Sequence, residues 1–312
     1  MRVLIFGAGV IGRIYAARFM SAGHEVVVLS RGGAAAKQLR HTGITLRRGD
    51  RNFGTVFPSI VVNTDEAGPV DIAFVTIRRD EVEAALPQLA TLRARVVVSL
   101  VNLPCGLDGL AEAVGPDRFV PAFPGVAGNA DRDGTVTYLE VRPQPTMVGM
   151  GGTFVADDAA GLRDEVLALL RSAEFPTATT PDMSAWLQTH AIFIAAVESA
   201  IASVSGDVAV LAANRAAVRA LVKGVREGFN ALEARGVTAT PGALRVIFLR
   251  VPVWFATSYW RRQLGGELGR LGLAPHATSS RHTELPALQE DVRALLAGTD
   301  IPQLERIFAA AN

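Results

Sequence analysis

Three glycines within the first twelve residues constrain this chain more than any other feature. Residues 3–6 (VLIF) form a short apolar run, and Gly7, Gly9 and Gly12 follow it at G-x-G-x-x-G spacing. From Val10 onward, Ile11, Ile14, Tyr15, Phe19 and Met20 recur at helical intervals. Gly23 stops that helix, and Glu25–Leu29 reads as a second apolar strand. The order strand, glycine turn, helix, strand within a unit of about 30 residues is the context that gives the spacing a meaning. Gly7 permits the tight turn, Gly9 lets an anion approach the backbone, and Gly12 lets the helix lie close to the strand. The backbone of Ala8, Val10 and Ile11 then directs free N–H groups at a phosphate.

A turn of this kind at the end of a buried strand binds the pyrophosphate of a dinucleotide. The end of the second strand distinguishes between dinucleotides. An acid about 20 residues beyond the glycines holds a free ribose 2′-hydroxyl. Here that place is Ser30-Arg31, with no carboxylate. Arg31 can pair bidentately with a 2′-phosphate, which a carboxylate would repel. The expected cofactor is therefore NADP(H).

At 312 residues the chain is long enough for about two domains. The net charge of +1 gives no electrostatic footprint for nucleic acid. With a single cysteine, Cys105, there is no internal disulfide and no cysteine-based zinc site, and a reducing cytoplasm is the expected compartment. No membrane segment is expected either. The most apolar helical stretch, residues 191–197, is cut by Glu198, and the glycines break the apolar N-terminus before it reads as a signal peptide.

Residues 34–40 read as a short helix, and residues 44–47 and 53–57 as strands around the turn 48–50. Residues 71–77 (DIAFVTI) form another buried strand with Arg78-Arg79 at its C-terminal end, the edge where ligands gather in an open α/β sheet. Arg78 or Arg79 adds charge near the cofactor phosphates, or merely starts the solvated helix 80–89. Residues 95–101 are the next strand. Asn102 beyond it either hydrogen-bonds the nicotinamide ribose or a substrate oxygen, or caps the helix that starts near Gly106. Residues 119–122, 136–141 and 145–148 add strands, the glycine-rich segment 123–129 reads as a loop over the site, and the helix 158–172 closes this half. Near residues 177–181 the composition shifts. Helical periodicity then dominates, with helices expected over 184–205, 214–235, 243–250 and 283–296. The fold class is thus an α/β, Rossmann-like N-terminal domain with a mostly parallel sheet, residues 1–178, followed by an all-α domain, residues 179–312.

With these residues in hand, the chain resembles the ketopantoate reductase (2-dehydropantoate 2-reductase) family. The resemblance rests on GAGVIG at residues 7–12, Arg31, VTIRR at residues 75–79, and Asn102. In the second half it rests on Trp186 and on Arg281-His282-Thr283-Glu284. It implies that the glycines, Arg31 and Arg78 bind NADPH, that Asn102 lies near nicotinamide and substrate, and that Glu284 touches a keto acid. The expected partners are a small carbonyl or keto acid substrate and a second copy of the chain.

One departure bears on the chemistry. The family places a catalytic Lys two residues after that Trp, and here the position is Gln188. Its next two polar positions on the same helix face, four and eight residues on, are Ile192 and Ala196. Ketone reduction needs a proton for the new alkoxide, and Gln can hydrogen-bond the oxygen but cannot supply that proton. His190 and His276 are the candidate replacements. His190 is turned about 200° from Gln188 on the helix, which suits a core histidine. Glu284 has a second reading as a first-turn helix acid. The functional expectation is an NADPH-dependent 2-keto acid reductase acting on ketopantoate or a less polar relative, with Gln188, Glu284 and Asn102 in the catalytic region. Another dehydrogenase of the same architecture, or an NADP(H)-binding sensor with lost catalysis, stands beside it.

Overall fold

The computed structural model describes residues 1–131, 133–141, 144–149 and 159–311. The chain divides into two compact units. One comprises Met1–Val101 and Gly106–Met183, the other Asn102–Cys105 and Ser184–Asn312.

In the first unit the described strands are β1 (Arg2–Phe6), β2 (Glu25–Leu29), β3 (Ile44–Arg48), β4 (Arg51–Val56), β5 (Ser59–Val61) and β6 (Val70–Val75). They continue with β7 (Ala94–Ser99), β8 (Phe119–Phe123), β9 (Val126–Ala130), β10 (Val136–Glu140), β11 (Thr146–Gly149) and β12 (Thr177–Thr180). Eight of them form one sheet in the order β12-β11-β8-β7-β6-β1-β2-β5. The run from β8 to β5 is parallel, and β11 joins β8 antiparallel. The central strands are buried on both faces, which is why they read as unbroken apolar runs: Val3, Leu4 and Ile5, Ile72, Ala73 and Phe74, and Val96, Val97 and Val98 are all buried. The chain leaves β1 for β2 on one side and later returns to β6 on the other. The turn after β1 therefore sits at the point where strand order reverses, the usual ligand site in such sheets.

Two readings of this half are corrected. Residues 123–129 are not a loop. The chain turns a corner at Pro124-Gly125 and enters β9, part of a second sheet ordered β4-β3-β10-β9. The corner is pinned by the Gly125 N–H on Thr146 Oγ1 (3.2 Å) and the Val141 N–H on the Gly125 carbonyl (2.9 Å). A Cβ on Gly125 would overlap the backbone at Pro145-Thr146, so glycine content here marks close approach, not a lid. Residues 177–180, read as a change of composition, form β12, paired in parallel with β11. The closing helix is described from Ala159 to Ser172; Asp158, where it was expected to begin, lies outside the described residues.

The second unit is helical. Met183–Ala202 is long and apolar enough by length and composition to cross a membrane, but it is almost wholly buried inside the protein. It is the central core helix. Arg215–Ala234, with its N-terminus capped by Asn214 Oδ1 on the Ala217 N–H (3.1 Å), presents Val218, Leu221, Val222, Val225, Phe229 and Leu232 to the core. A Cβ on Gly228 of that helix would come within 2.6 Å of Ile192 Cγ2. The glycine is what admits Ile192. The expected helix over 243–250 is present, but it winds as an α turn, Gly242–Arg245, that runs on into a π turn, Val246–Arg250. Beyond it, Val253–Gly265, a second π turn at Leu268–Leu273, and Ala274–Ser280 follow one another, none foreseen from periodicity. A Cβ on Gly269 would overlap the Leu264 carbonyl, so the bulged path depends on glycine. Glu284–Leu295 and Pro302–Ala309 complete the unit.

Candidate functional site

The glycine turn has three positions with three different surroundings. Gly7 has φ +121°, outside the range of other residues without strain. A Cβ on Gly12 would overlap the Gly7 carbonyl oxygen and lie 2.7 Å from Thr76 Oγ1. Gly9 is the opposite case: a Cβ there would meet nothing within 4 Å. Gly9 is therefore not needed for packing, and the space over it is the space an incoming phosphate would use. The helix Val10–Ser21 starts directly after it, with no side chain capping its N-terminus. The turn is braced from outside, by Thr76 Oγ1–H on the Gly7 carbonyl (2.9 Å) and Arg13 Nε–H on the Ala8 carbonyl (2.9 Å). Burial pulls the Arg13 guanidinium below its ordinary pKa. The residues present fit a dinucleotide pyrophosphate at Ala8, Val10 and Ile11.

Arg31 stands beyond β2 with 69% of its side chain exposed, and it is paired with Glu81. The other Glu81 oxygen accepts the Arg78 N–H (3.1 Å), so Glu81 caps the short 3₁₀ turn Arg79–Glu81. Arg31, Arg78 and Glu81 thus form one group. The acid missing from the end of β2 is present in space, delivered from the end of β6. Sequence spacing around the glycines could not show it, because Glu81 lies 50 residues from Arg31 in the chain.

In the second unit, Asn102 and Gln188 each carry a buried side-chain oxygen with no hydrogen-bond partner among the described residues. Such orphans are rare in folded proteins, and each leaves an acceptor open to a bound water or ligand. Asn102 does not cap the following helix: Leu107–Val114 begins from Gly106, in the left-handed region, with no side-chain cap. Gln188 donates to Ser184 Oγ on its own helix (3.3 Å). Neither amide is hydrogen-bonded to Glu284. Ile192 and Ala196 are both 0% exposed and belong to the helical core. They are packing residues, and they give no support to an apolar substrate surface on this face.

The two histidines separate clearly. His190 is buried and stacked on Trp186, ring centroids 4.9 Å apart and planes at 11°. Burial, helped by the charge of His276, pushes its pKa down to about 3. A ring so reluctant to hold a second proton is no acid near neutrality. His276 is the contrary. About half its side chain is exposed, and it stands between two carboxylates that are almost wholly buried. Its Nδ1 lies 2.5 Å from Glu198 Oε1, and its Nε2 lies 3.4 Å from Glu284 Oε2. Ser280 donates to the other Glu198 oxygen (2.9 Å). One turn along, Gln289 donates to Ser199 Oγ (2.8 Å). Glu284 opens the helix Glu284–Leu295, so it is a first-turn acid and a member of this cluster at once. Among the described residues no group of side chains could hold a metal ion.

Glu198 is the member that sequence reading passed over, as an interruption of an apolar run. Its signal was that interruption. A lone carboxylate within an otherwise uncharged helix of 20 residues has to be satisfied by something, and its partners arrive from residues 276 and 280.

A parallel sheet, a glycine turn at its switch point and an open helix N-terminus define the first unit as a dinucleotide-binding fold of the NAD(P)-dependent dehydrogenase type. Residues 3–151 match the family model described as ketopantoate reductase PanE/ApbA, so this segment is similar to the ketopantoate reductase domain of an oxidoreductase family. A 2-dehydropantoate 2-reductase of Archaeoglobus fulgidus is 35% identical over 102 residues, a match spanning 32% of this chain and 32% of that protein. Among solved structures, a 2-dehydropantoate 2-reductase from Geobacter metallireducens superposes with a TM-score of 0.76 at 17% identity, covering 100% of this chain and 99% of that one. A D-mandelate dehydrogenase solved with NADH and anilino(oxo)acetate gives a TM-score of 0.74 at 13% identity, covering 100% and 97%. At those identities the structural likeness is a likeness of fold, and it extends over both units.

Proposed function

We propose that this protein is an NADPH-dependent reductase that converts a 2-keto acid to the 2-hydroxy acid. The observation that carries the reading is the open space over Gly9 at the head of a free helix N-terminus, inside a segment similar to a ketopantoate reductase domain. Ala8, Val10 and Ile11 hold the pyrophosphate through backbone N–H groups, and Arg31 and Arg78 hold the adenosine 2′-phosphate. When bound, the reduced nicotinamide supplies hydride to the carbonyl carbon. Asn102 and Gln188 use their amides to orient nicotinamide ribose and substrate carbonyl, and Glu284 receives a hydrogen bond from the substrate. Relatives named for ketopantoate and for mandelate both act at a carbon beside a carboxylate, and anilino(oxo)acetate has that same oxo-acid pattern.

The test is oxidation of NADPH across a panel of 2-keto acids that includes ketopantoate and an aryl glyoxylate. Turnover on ketopantoate itself is expected to be slow, below the ordinary range of about 1–10³ per second, because Gln188 stands where the family has Lys. Tight NADPH binding with no oxidation on any keto acid would instead favour a sensor that has lost catalysis. Gln188 is the observation that keeps this second reading in play.

A further inference from the structure

Glu198 poses a question that the fold does not answer. Its side chain is 2% exposed on the most apolar helix of the protein, where an unpaired carboxylate would cost several kcal/mol. Replacing it with a hydrocarbon would suit the surrounding core. Instead both its oxygens are engaged, one by His276 Nδ1 and one by Ser280 Oγ, and both partners come from the helix Ala274–Ser280. The arrangement fixes one ring nitrogen in the core and leaves half of the imidazole side chain in contact with solvent. Its second nitrogen is directed to Glu284, at a distance beyond an ordinary hydrogen bond.

A neutral imidazole carries one N–H, and here each ring nitrogen faces a carboxylate oxygen. With an N–H at Nδ1 toward Glu198, a second ring proton at Nε2 is turned toward Glu284. Glu198 from the Met183–Ala202 helix, Glu284 from the Glu284–Leu295 helix, and His190, which burial keeps neutral, are charged or titratable groups that face His276. A buried carboxylate that fixes one nitrogen of an imidazole sets its orientation and stabilises its cationic form, while the other nitrogen does the chemistry.

We infer that His276 is the proton donor of the reduction, held in place by Glu198 as a positioning residue. This rests on the keto acid reductase reading above and names the acid that Gln188 cannot be. As the carbonyl carbon accepts hydride, the carbonyl π-bond pair moves to oxygen, and that oxygen takes the proton from His276 Nε2. The N–H bond breaks, an O–H bond forms, and the imidazolium becomes neutral imidazole. The exposed ring then recovers its proton from water. Per turnover, one keto acid, one NADPH and one proton give one hydroxy acid and one NADP⁺.

Three measurements on the full-length protein test this. The first is an NMR titration of the His276 ring, assigned by its loss in His276→Gln. Glu198→Gln should lower its midpoint by about one pH unit or more, and an unchanged midpoint overturns the positioning role. The second is calorimetric binding of oxamate, a keto acid mimic that accepts no hydride. Wild type should bind it more tightly below the His276 midpoint than above, and His276→Gln should lose that dependence. A wild-type affinity that ignores the His276 midpoint overturns the contact with substrate. The third is turnover. His276→Gln should lower kcat by roughly 10²–10⁴-fold with NADPH affinity unchanged, and Glu198→Gln should move the high-pH limb of the rate profile downward. Wild-type turnover with an equal rate in His276→Gln removes the proton donor and leaves the reductase. If wild type reduces no keto acid, the reductase reading fails, and the donor role that rests on it fails with it.

Discussion

The two units carry their candidate chemistry in different materials. In the first, the site is backbone: three glycines and the N–H groups of a helix start, all within residues 7–12. In the second it is side chains from separate helices, Glu198, His276 and Glu284, with 78 residues between the first two. A backbone site depends on what is absent, namely a Cβ. A side-chain site depends on what converges. The first tolerates almost any change in side-chain chemistry and almost none in volume. The second tolerates neither loss of a charge nor loss of its partner.

The strongest way to break the comparison is at the glycines themselves. Gly12→Ala should abolish measurable NADPH binding, a loss of at least about 10²-fold, and destabilise the first unit by roughly 1–3 kcal/mol, because the new methyl meets the Gly7 carbonyl. Gly9→Ala should leave the thermal midpoint unchanged, since its Cβ points into open space, yet still weaken NADPH binding. Thermal melts with calorimetric titration separate the two. Equal destabilisation by both would show that Gly9 is a packing residue after all.

In the second unit the corresponding stress is pH. His190 has a pKa of about 3 in the folded protein against 6.5 when unfolded. The unfolded chain therefore binds more protons between these values, and stability falls as pH drops through 6.5 toward 3. Between pH 7 and pH 4.5 this amounts to about 2–3 kcal/mol. His190→Phe should flatten that part of the stability curve, read by denaturant melts at both pH values. An undiminished slope would mean that the ring is not held neutral.

Smaller effects are expected around Arg31. Arg31→Ala should lower NADPH affinity about tenfold and leave NADH affinity nearly unchanged, an effect limited by the exposure of the pair. Glu81→Gln should raise NADPH affinity a few-fold, because it frees Arg31 and removes a carboxylate from the vicinity of the phosphate. If Glu81→Gln instead weakens NADH and leaves NADPH alone, Glu81 is serving the ribose hydroxyl in place of the acid missing from β2. The smallest change is expected from Gln188→Lys. A gain of a few-fold in keto acid reduction is all that is anticipated, since Ile192 and Ala196 stay in the core. A gain of 10²-fold or more would return the donor's role to this helix.

How much was legible follows from the same contrast. The elements of the glycine unit, the strand Glu25–Leu29 and the helix Arg215–Ala234 stood in the sequence nearly residue for residue, because burial periodicity is a local pattern. Segment 123–129 misled because glycine serves a loop and a tight approach alike, and only the overlap with Pro145-Thr146 tells them apart. Of the helices over 253–280, the part after Gly265 was missed because a π turn at Leu268–Leu273 breaks the 3.6-residue rhythm. His276 was visible only as a histidine near Glu284 in the chain.

The sequence by itself determined a dinucleotide-binding α/β half and a helical second half, for each of these is written in contiguous residues. Tertiary structure alone decided which histidine is held neutral by burial and which acid meets Arg31. Both are questions of distance and burial between residues 50 to 80 positions apart, and a carboxylate in the sequence carries no mark of what will stand beside it.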